Sequence, residues 1–152
     1  MTTSERLAEL GIEIPAVAKP VASYVPATIA GNLVFTAGQL PFVDGVLSET
    51  GKVGAEVTAD AAQGYARTAV LNALAATQTV IGSVDRITRI VKLVVFVASA
   101  PDFSGQPAVA NGASDLLVEI FGDAGRHARS AVGVAVLPLD APVELELIVE
   151  FE

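Results

Sequence analysis

The chain has 152 residues, of which 52% are hydrophobic and 17% are charged, against about 25% charged residues in average chains. This length predicts one domain, residues 1–152, and the apolar composition excludes a disordered chain. Because so few charges are available to cover so apolar a body, we expect part of its surface to be buried against copies of itself.

The mean hydropathy of +0.57 would suit a membrane protein, but the runs of apolar residues are too short. The longest, Leu93–Ala98, falls far below the roughly 20 residues that a spanning helix needs. Charged side chains among the first ten residues replace the apolar stretch of a signal peptide, so we expect a cytoplasmic location and no membrane partner.

Residue counts exclude several kinds of site. The absence of cysteine excludes disulfides and thiolate catalysis, and a single histidine, His127, cannot form a histidine metal cluster. The net charge is −8, and non-specific nucleic-acid binding relies on an excess of lysine and arginine. We therefore expect no nucleic-acid partner, and we interpret Arg86, Arg89 and Lys92 as a polar lead-in to a strand.

The N-terminal residues predict a short helix followed by an extended arm. Thr3 or Ser4 is placed to cap a helix within residues 1–14, and Gly11 to end it. Two prolines predict an extended connector over residues 15–23.

A β-hairpin is predicted next. Two β-type runs, Tyr24–Ile29 and Leu33–Leu40, are joined by a turn that contains Gly31 and Asn32. The glycine-rich residues 41–57 then predict a loop or an irregular hairpin.

The middle of the chain predicts a long helix and a buried strand. Thr58 is a candidate N-cap for a helix that runs to about Ile81, and Gly82 is placed to end it. Small residues at helical spacing predict a close approach to a sheet. The strand Ile87–Ala98 follows, and its second half is apolar on both faces.

The last third predicts a helix over about Pro107–Phe121 and two strands, Ala128–Leu137 and Val143–Phe151. The resulting order, β-β-α-β-α-β-β, predicts an α+β domain with two helices on one face of a sheet. A strand that is apolar on both faces needs cover on the second face as well. We therefore expect another subunit to supply that cover.

The strand 128–137 places one charge among small residues. Arg129 shares a face with Ala131 and Gly133, which leave room beside a guanidinium that can bind a carboxylate through two parallel hydrogen bonds. The alternative is an ordinary arginine at a strand end, paired with a nearby acid.

The final strand places four glutamates on one face. We interpret Glu146, Glu150 and Glu152 as a solvated acidic face, whereas Glu144 lies next to the turn over residues 138–142. If the two last strands pair across this turn, Glu144 lies far from Arg129 in the same chain. The two side chains would then meet only across a subunit boundary.

Other motifs carry less chemistry. His127 and Ser130 are three residues apart and lack an obvious third partner, which disfavours a serine triad. No glycine pattern matches a P-loop or a dinucleotide fingerprint. Gly38 ends a β-type run, where it either exposes a backbone N–H to a ligand or starts a turn.

Four separated segments resemble the RidA (YjgF-type) family. Residues 33–41, LVFTAGQLP, resemble its (I/V)-x-(T/S)-(S/A)-G-Q-(I/L)-P segment, and residues 92–97 resemble its central K-x-x-V-F-V strand. Residues 127–134 and 137–146 resemble its C-terminal arginine-serine … leucine-proline … (I/V)-E-x-E signature. Tyr24 also precedes Gly38 by the family's usual interval. The resemblance covers about residues 20–152.

This resemblance implies a chorismate-mutase-like fold and a homotrimer with a cleft at each subunit interface. It also implies hydrolysis of reactive 2-enamino and 2-imino acids to 2-keto acids and ammonia, without a cofactor. Arg129 would hold the substrate carboxylate, and Glu144 would position or protonate groups around the attacking water.

The remaining site residues implied by the resemblance are Tyr24, Ala37, Gly38 and Ala131. Tyr24 would line the cleft, and Gly38 and Ala131 would contribute backbone groups. Ala131 stands where the family usually has cysteine, and Ala37 replaces a common serine. Two alternatives stay open: a trimeric binder or sensor of small carboxylates, which needs Arg129 but not Glu144, and an endoribonuclease, which the acidic charge disfavours.

Overall fold

A mixed β-sheet of five strands organises the computed structural model, which describes residues 1–17 and 23–152. The strands of this sheet are β1 (Ala27–Ala30), β2 (Leu33–Thr36), β5 (Ile87–Ala98), β6 (Ala128–Val134) and β7 (Val143–Phe151). A separate small hairpin consists of β3 (Phe42–Val43) and β4 (Val46–Leu47). The α-helices are α1 (Thr3–Glu9), α2 (Ala59–Ile81) and α3 (Gln106–Phe121).

The strand order β1-β2-β7-β5-β6 confirms the α+β class and decides where the last two strands lie. Neighbouring strands are antiparallel except β5 and β6, which are parallel. The long strand β5 therefore separates β6 from β7. A direct pairing of the last two strands across residues 138–142 is wrong, because the intervening turn carries the chain over β5.

Both long helices cover the same face of the sheet. Thr58 caps α2 by accepting the N–H of Ala61 at 3.1 Å, and Gly82 ends it with a φ of 86°, as predicted. The two helices pack closely, because a Cβ on Gly112 would lie 2.8 Å from the carbonyl carbon of Gln63. The side chains of β7 that face these helices are buried: Val143, Leu145, Leu147 and Val149.

Four predicted boundaries need correction. The N-cap of α1 is Thr2, which forms a capping box with Glu5. Strand β1 begins at Ala27 rather than Tyr24, after a proline that lacks a donor for the ladder. Strand β2 ends at Thr36, where its pairing with β7 becomes irregular. Strand β6 ends at Val134 because its partner β5 ends at Ala98.

Residues 18–22, most of the predicted connector, lie outside the described residues. Among residues 1–17 and 23–152, no helix is both long enough and apolar enough to cross a bilayer.

The second face of the sheet, here called the open face, has no helix of the described chain packed on it. Phe35 and Val132 lie on it with 38% and 45% of their surfaces exposed. Register places further apolar side chains beside them, together with three acids of the central strand β7: Val94, Phe96, Ile148, Glu144, Glu146 and Glu150. The sheet is therefore apolar on both faces, as the pattern of β5 predicts.

Candidate active site in two halves

A bulge brings the glycine segment against β7. The N–H of Gln39 donates to the carbonyl of Leu145 at 2.7 Å, and the N–H of Leu145 donates back at 3.1 Å. Relative to the Phe35–Ile148 pair, this bridge is shifted by one residue, so the segment between them contains an extra residue. Bulges of this kind redirect side chains and occur often beside active sites.

Gly38 lies directly beneath the carboxylate of Glu144. A Cβ on Gly38 would stand 3.0 Å from Cδ of Glu144 and closer still to Oε1. Only a glycine leaves space for the carboxylate in this position. The close approach explains physically why a residue without a side chain follows Ala37.

Ala37 and Tyr24 belong to the same end of the sheet. The N–H of Ala37 donates to the carbonyl of Pro26 at 2.8 Å, so the chain before β1 runs beside the glycine segment. Tyr24 lies two residues earlier, with 53% of its surface exposed. We call Tyr24, Ala37, Gly38 and Glu144 the Glu144 half-site.

The Glu144 carboxyl favours its protonated form more than an ordinary glutamate does. Its side chain is half-buried on the open face, where Phe96 is its partner on β5. Burial raises the pKa of Glu144, and the negative charge of Glu146 on the same face raises it further. A carboxyl of this kind suits proton transfer.

Arg129 lies on the helix-covered side of β6. Its Nη1 donates to Oδ1 of Asn111 at 2.7 Å and to Oγ of Ser114 at 3.2 Å, and both partners belong to α3. Among the described residues no carboxylate lies within ion-pair distance of this guanidinium, whereas Arg89 pairs with Glu150 at 3.2 Å. Within the described residues of one chain, Arg129 is therefore not paired with an acid.

The small residues beside Arg129 do not leave the open room that their size suggests. The methyl group of Ala131 packs against the core, and a Cβ on Gly133 would lie 2.7 Å from Nε2 of Gln106. Gln106 at the start of α3 and Ser99 after β5 fill that space. Arg129 and Ala131 form the Arg129 half-site, with the free edge of β6 beside them.

The two half-sites do not meet within one chain. In the register of the sheet, Arg129 of β6 pairs with Leu93 of β5, and Glu144 of β7 pairs with Phe96 of β5. Strand β5 lies between the two residues. The two backbone positions are therefore separated by about 10 Å along the sheet and about 10 Å across it. Their side chains also lie on opposite faces of the sheet.

Sequence reasoning missed the partners of Arg129 and His127. Nε2 of His127 lies 2.9 Å from Oγ of Ser114, not near Ser130, which register places on the open face beside Val94. The three-residue spacing of Asn111 and Ser114 puts both on one side of α3. Nothing in the sequence says which strand that side contacts.

Metal ligation has little support in the part of the chain that the structure describes. Its histidine and acids do not gather in groups of three or more that could hold an ion.

Known proteins are similar to this chain over most of its length. The model of the YjgF/chorismate mutase-like endoribonuclease family matches residues 4–151. Protein TCP17 of Trypanosoma cruzi is 46% identical over 95% of this chain and 91% of its own length. The 2-iminobutanoate/2-iminopropanoate deaminase of Escherichia coli K12 is 32% identical over 84% of this chain and 87% of its own.

Solved structures share the fold. Atu1372 of Agrobacterium tumefaciens, a protein of unknown function, has a TM-score of 0.91 and 44% identity, covering 99% of this chain and 92% of its own. TdcF of Escherichia coli with bound serine has a TM-score of 0.67 and 25% identity, covering 90% and 94%. The family match over residues 4–151 and the relatives at 46% and 32% identity show that the chain belongs to the YjgF family, the family of the RidA-type proteins.

Proposed function

We propose that the protein hydrolyses small 2-imino and 2-enamino acids to 2-keto acids and ammonia. The observation that carries this proposal is the Glu144 carboxyl, which is half-buried over Gly38 and has a raised pKa. Hydrolysis needs such a group to transfer protons, whereas binding a carboxylate does not. Relatives named 2-iminobutanoate/2-iminopropanoate deaminase support the same reaction.

Arg129 would hold the substrate carboxylate. Its guanidinium is oriented by two neutral acceptors of α3 and has no ion-pair partner among the described residues, so its charge is available to a ligand. A fixed fork of donors matches a planar carboxylate. The relative TdcF, solved with bound serine, offers a precedent for a small ligand of this class.

Glu144 would move the protons. Water attacks C2 of the imine while Glu144 takes one proton from that water and delivers it to the imine nitrogen, which gives a carbinolamine. Glu144 then takes the hydroxyl proton of the carbinolamine and delivers it to the amine nitrogen as the C–N bond breaks and the C=O bond forms. The products are the 2-keto acid and ammonia, and Glu144 regains its starting state. A carboxyl with a raised pKa suits both transfers. Imine hydrolysis needs little beyond this positioning.

We propose that the complete site forms between subunits of a homotrimer. The two half-sites lie on opposite faces of one sheet, so a small ligand cannot contact both in a single chain. The apolar open face supports an interface there, because exposed Phe35 and Val132 would otherwise face water. Light scattering should then give three chains per particle.

The activity is tested by generating 2-iminobutanoate in the cuvette from the amino acid with an oxidase and following its decay. The protein should accelerate decay, Arg129→Ala should abolish the acceleration, and Arg126→Ala should not, because Arg126 is exposed and its side chain bonds only Asp123 among the described residues. An imine lifetime unchanged by the wild-type protein would reject the deaminase. Retained carboxylate binding in that case would favour a binder or sensor.

Subunit sharing is tested by mixing two inactive variants, Arg129→Ala and Glu144→Gln, after denaturation and joint refolding. In a random equimolar mixture about a quarter of all interfaces, one in each mixed trimer, combine an intact Arg129 with an intact Glu144, and activity should return to roughly that fraction. A site contained in one chain would give no restoration.

A further inference from the structure

A continuous chain of hydrogen bonds lies behind Arg129. Nδ1 of His127 lies 2.6 Å from the carbonyl oxygen of Gly125, and Nε2 of the same ring lies 2.9 Å from Oγ of Ser114. That Oγ is in turn 3.2 Å from Nη1 of Arg129, which also donates to Asn111 at 2.7 Å. A half-buried imidazole thus links a backbone carbonyl to the guanidinium.

Chemistry at the two ends fixes the direction of each bond. The carbonyl of Gly125 has no proton, so Nδ1 of His127 must donate to it. In the neutral ring Nε2 then lacks a proton and accepts from the hydroxyl of Ser114. Ser114 has used its only proton, so its Oγ can only accept from Nη1 of Arg129. Every group in the chain has one defined role.

Close backbone packing anchors the far end of this chain. Gly125 is buried, and a Cβ there would lie 2.8 Å from the carbonyl carbon of Leu117 and 3.0 Å from Cα of Val118. This approach requires glycine and holds the carbonyl of residue 125 in place. The tautomer of His127 is therefore set by the backbone where α3 ends.

We propose that Ser114 and His127 are positioning residues for Arg129, an inference that rests on the proposed role of Arg129 in binding the substrate carboxylate. Together with Asn111 they hold Nη1 against α3. The Nε and Nη2 groups of Arg129 make no hydrogen bond to a described residue. The substrate carboxylate therefore docks on the Nε–Nη2 edge of the guanidinium, as a bidentate pair.

The first test is spectroscopic and needs no substrate. In ¹⁵N NMR spectra of the neutral imidazole at about pH 8, His127 should carry its proton on Nδ1. Ser114→Ala should also speed the exchange of the Arg129 Nη protons with water, because one of the hydrogen bonds that hold Nη1 is lost. A proton on Nε2, or Arg129 signals unaffected by Ser114→Ala, would overturn the positioning role.

The second test measures binding of 2-oxobutanoate, a product of the proposed reaction, by calorimetry. Ser114→Ala should weaken binding about 3- to 10-fold, the scale of one ordinary hydrogen bond, and Ser114→Thr should restore it because the hydroxyl returns. Thr68→Ala is the matched control, since Thr68 also carries a helix hydroxyl but, among the residues that the structure describes, bonds only the carbonyl of Gly64.

These outcomes separate the inference from the proposed function. If 2-oxobutanoate binds with this dependence on Ser114 but imines are not hydrolysed, the positioning role stands and the deaminase fails. If imines are hydrolysed and Ser114→Ala binds as tightly as wild type while remaining folded by circular dichroism, the positioning role fails alone. Absence of 2-oxobutanoate binding to the wild type would also overturn the proposed docking edge.

Discussion

Arg129 and Glu144 occupy opposite kinds of surroundings on one sheet. Arg129 is held by neutral side chains of α3 that define its direction without reducing its charge. Glu144 is half-buried beside Phe96 and near Glu146, so its charge is disfavoured. Binding a carboxylate requires a fixed cation, whereas moving a proton requires a group whose two states lie close in free energy. These different surroundings support the two roles that we propose for the half-sites.

The largest loss of activity is expected from a change in the Glu144 half-site. Glu144→Gln keeps the shape of the side chain but cannot exchange a proton, so kcat for imine hydrolysis should fall about 10²- to 10⁴-fold. Affinity for 2-oxobutanoate should stay close to that of wild type. Glu152→Gln, at the exposed end of the chain, is the control. Full turnover by Glu144→Gln would remove Glu144 from the mechanism.

Arg129→Lys should impair carboxylate binding at the Arg129 half-site. Lysine keeps the charge but cannot form the bidentate pair, so affinity for 2-oxobutanoate should fall about 10- to 100-fold, with the fold retained. Arg126→Lys should bind as wild type does, because Arg126 is exposed and pairs with Asp123. Calorimetry that finds unchanged binding by Arg129→Lys would make Arg129 a structural residue.

The contact beneath Glu144 is tested by Gly38→Ala. The added methyl group overlaps the carboxylate, which must move away, and kcat should fall by about tenfold or more if its position matters. The matched control is Gly64→Ala in α2, where a Cβ meets nothing within 4 Å. Equal activity of both variants would mean that Glu144 tolerates displacement.

The smallest expected effect is on thermal stability, whose pH dependence should differ between variants of two glutamates of β7. The pKa of Glu144 is raised, so its stabilising contribution is complete below the ordinary carboxyl value of 4.5 and lost as pH rises through the raised pKa. Glu144→Gln should therefore raise Tm at pH 7, by about 1–3 °C, and leave it unchanged at pH 4.

Glu150 supplies the opposite case on the same strand. Hydrogen bonding to Arg89 lowers its pKa, so its contribution is present above the ordinary carboxyl value and lost as pH falls through the lowered one. Glu150→Gln should lower Tm slightly at pH 7 and converge with wild type in acid. Identical pH profiles of Tm for the two variants would contradict the opposite pKa shifts of Glu144 and Glu150.

Local signals were sufficient for most of the secondary structure. Thr58 and Gly82 mark the ends of α2 because a cap and a left-handed glycine act within a single turn. The alternation along Val143–Phe151 identifies the buried face of β7, since side chains in a strand point to the two faces in turn. The apolar second half of β5 likewise predicts the open face. None of these features depends on a distant part of the chain.

Only the tertiary structure decided how the site is arranged. Insertion of β5 between β6 and β7 separates Arg129 from Glu144, and parallel pairing brings Arg129 beside Asn111 and Ser114. Strand order and register depend on how whole elements pack, because one amphipathic pattern is compatible with several neighbours. The sequence and its family resemblance singled out Arg129, Glu144 and Gly38 as candidates, which stay predictions. Packing decided which side chains orient the guanidinium and why the carboxyl over Gly38 resists ionisation.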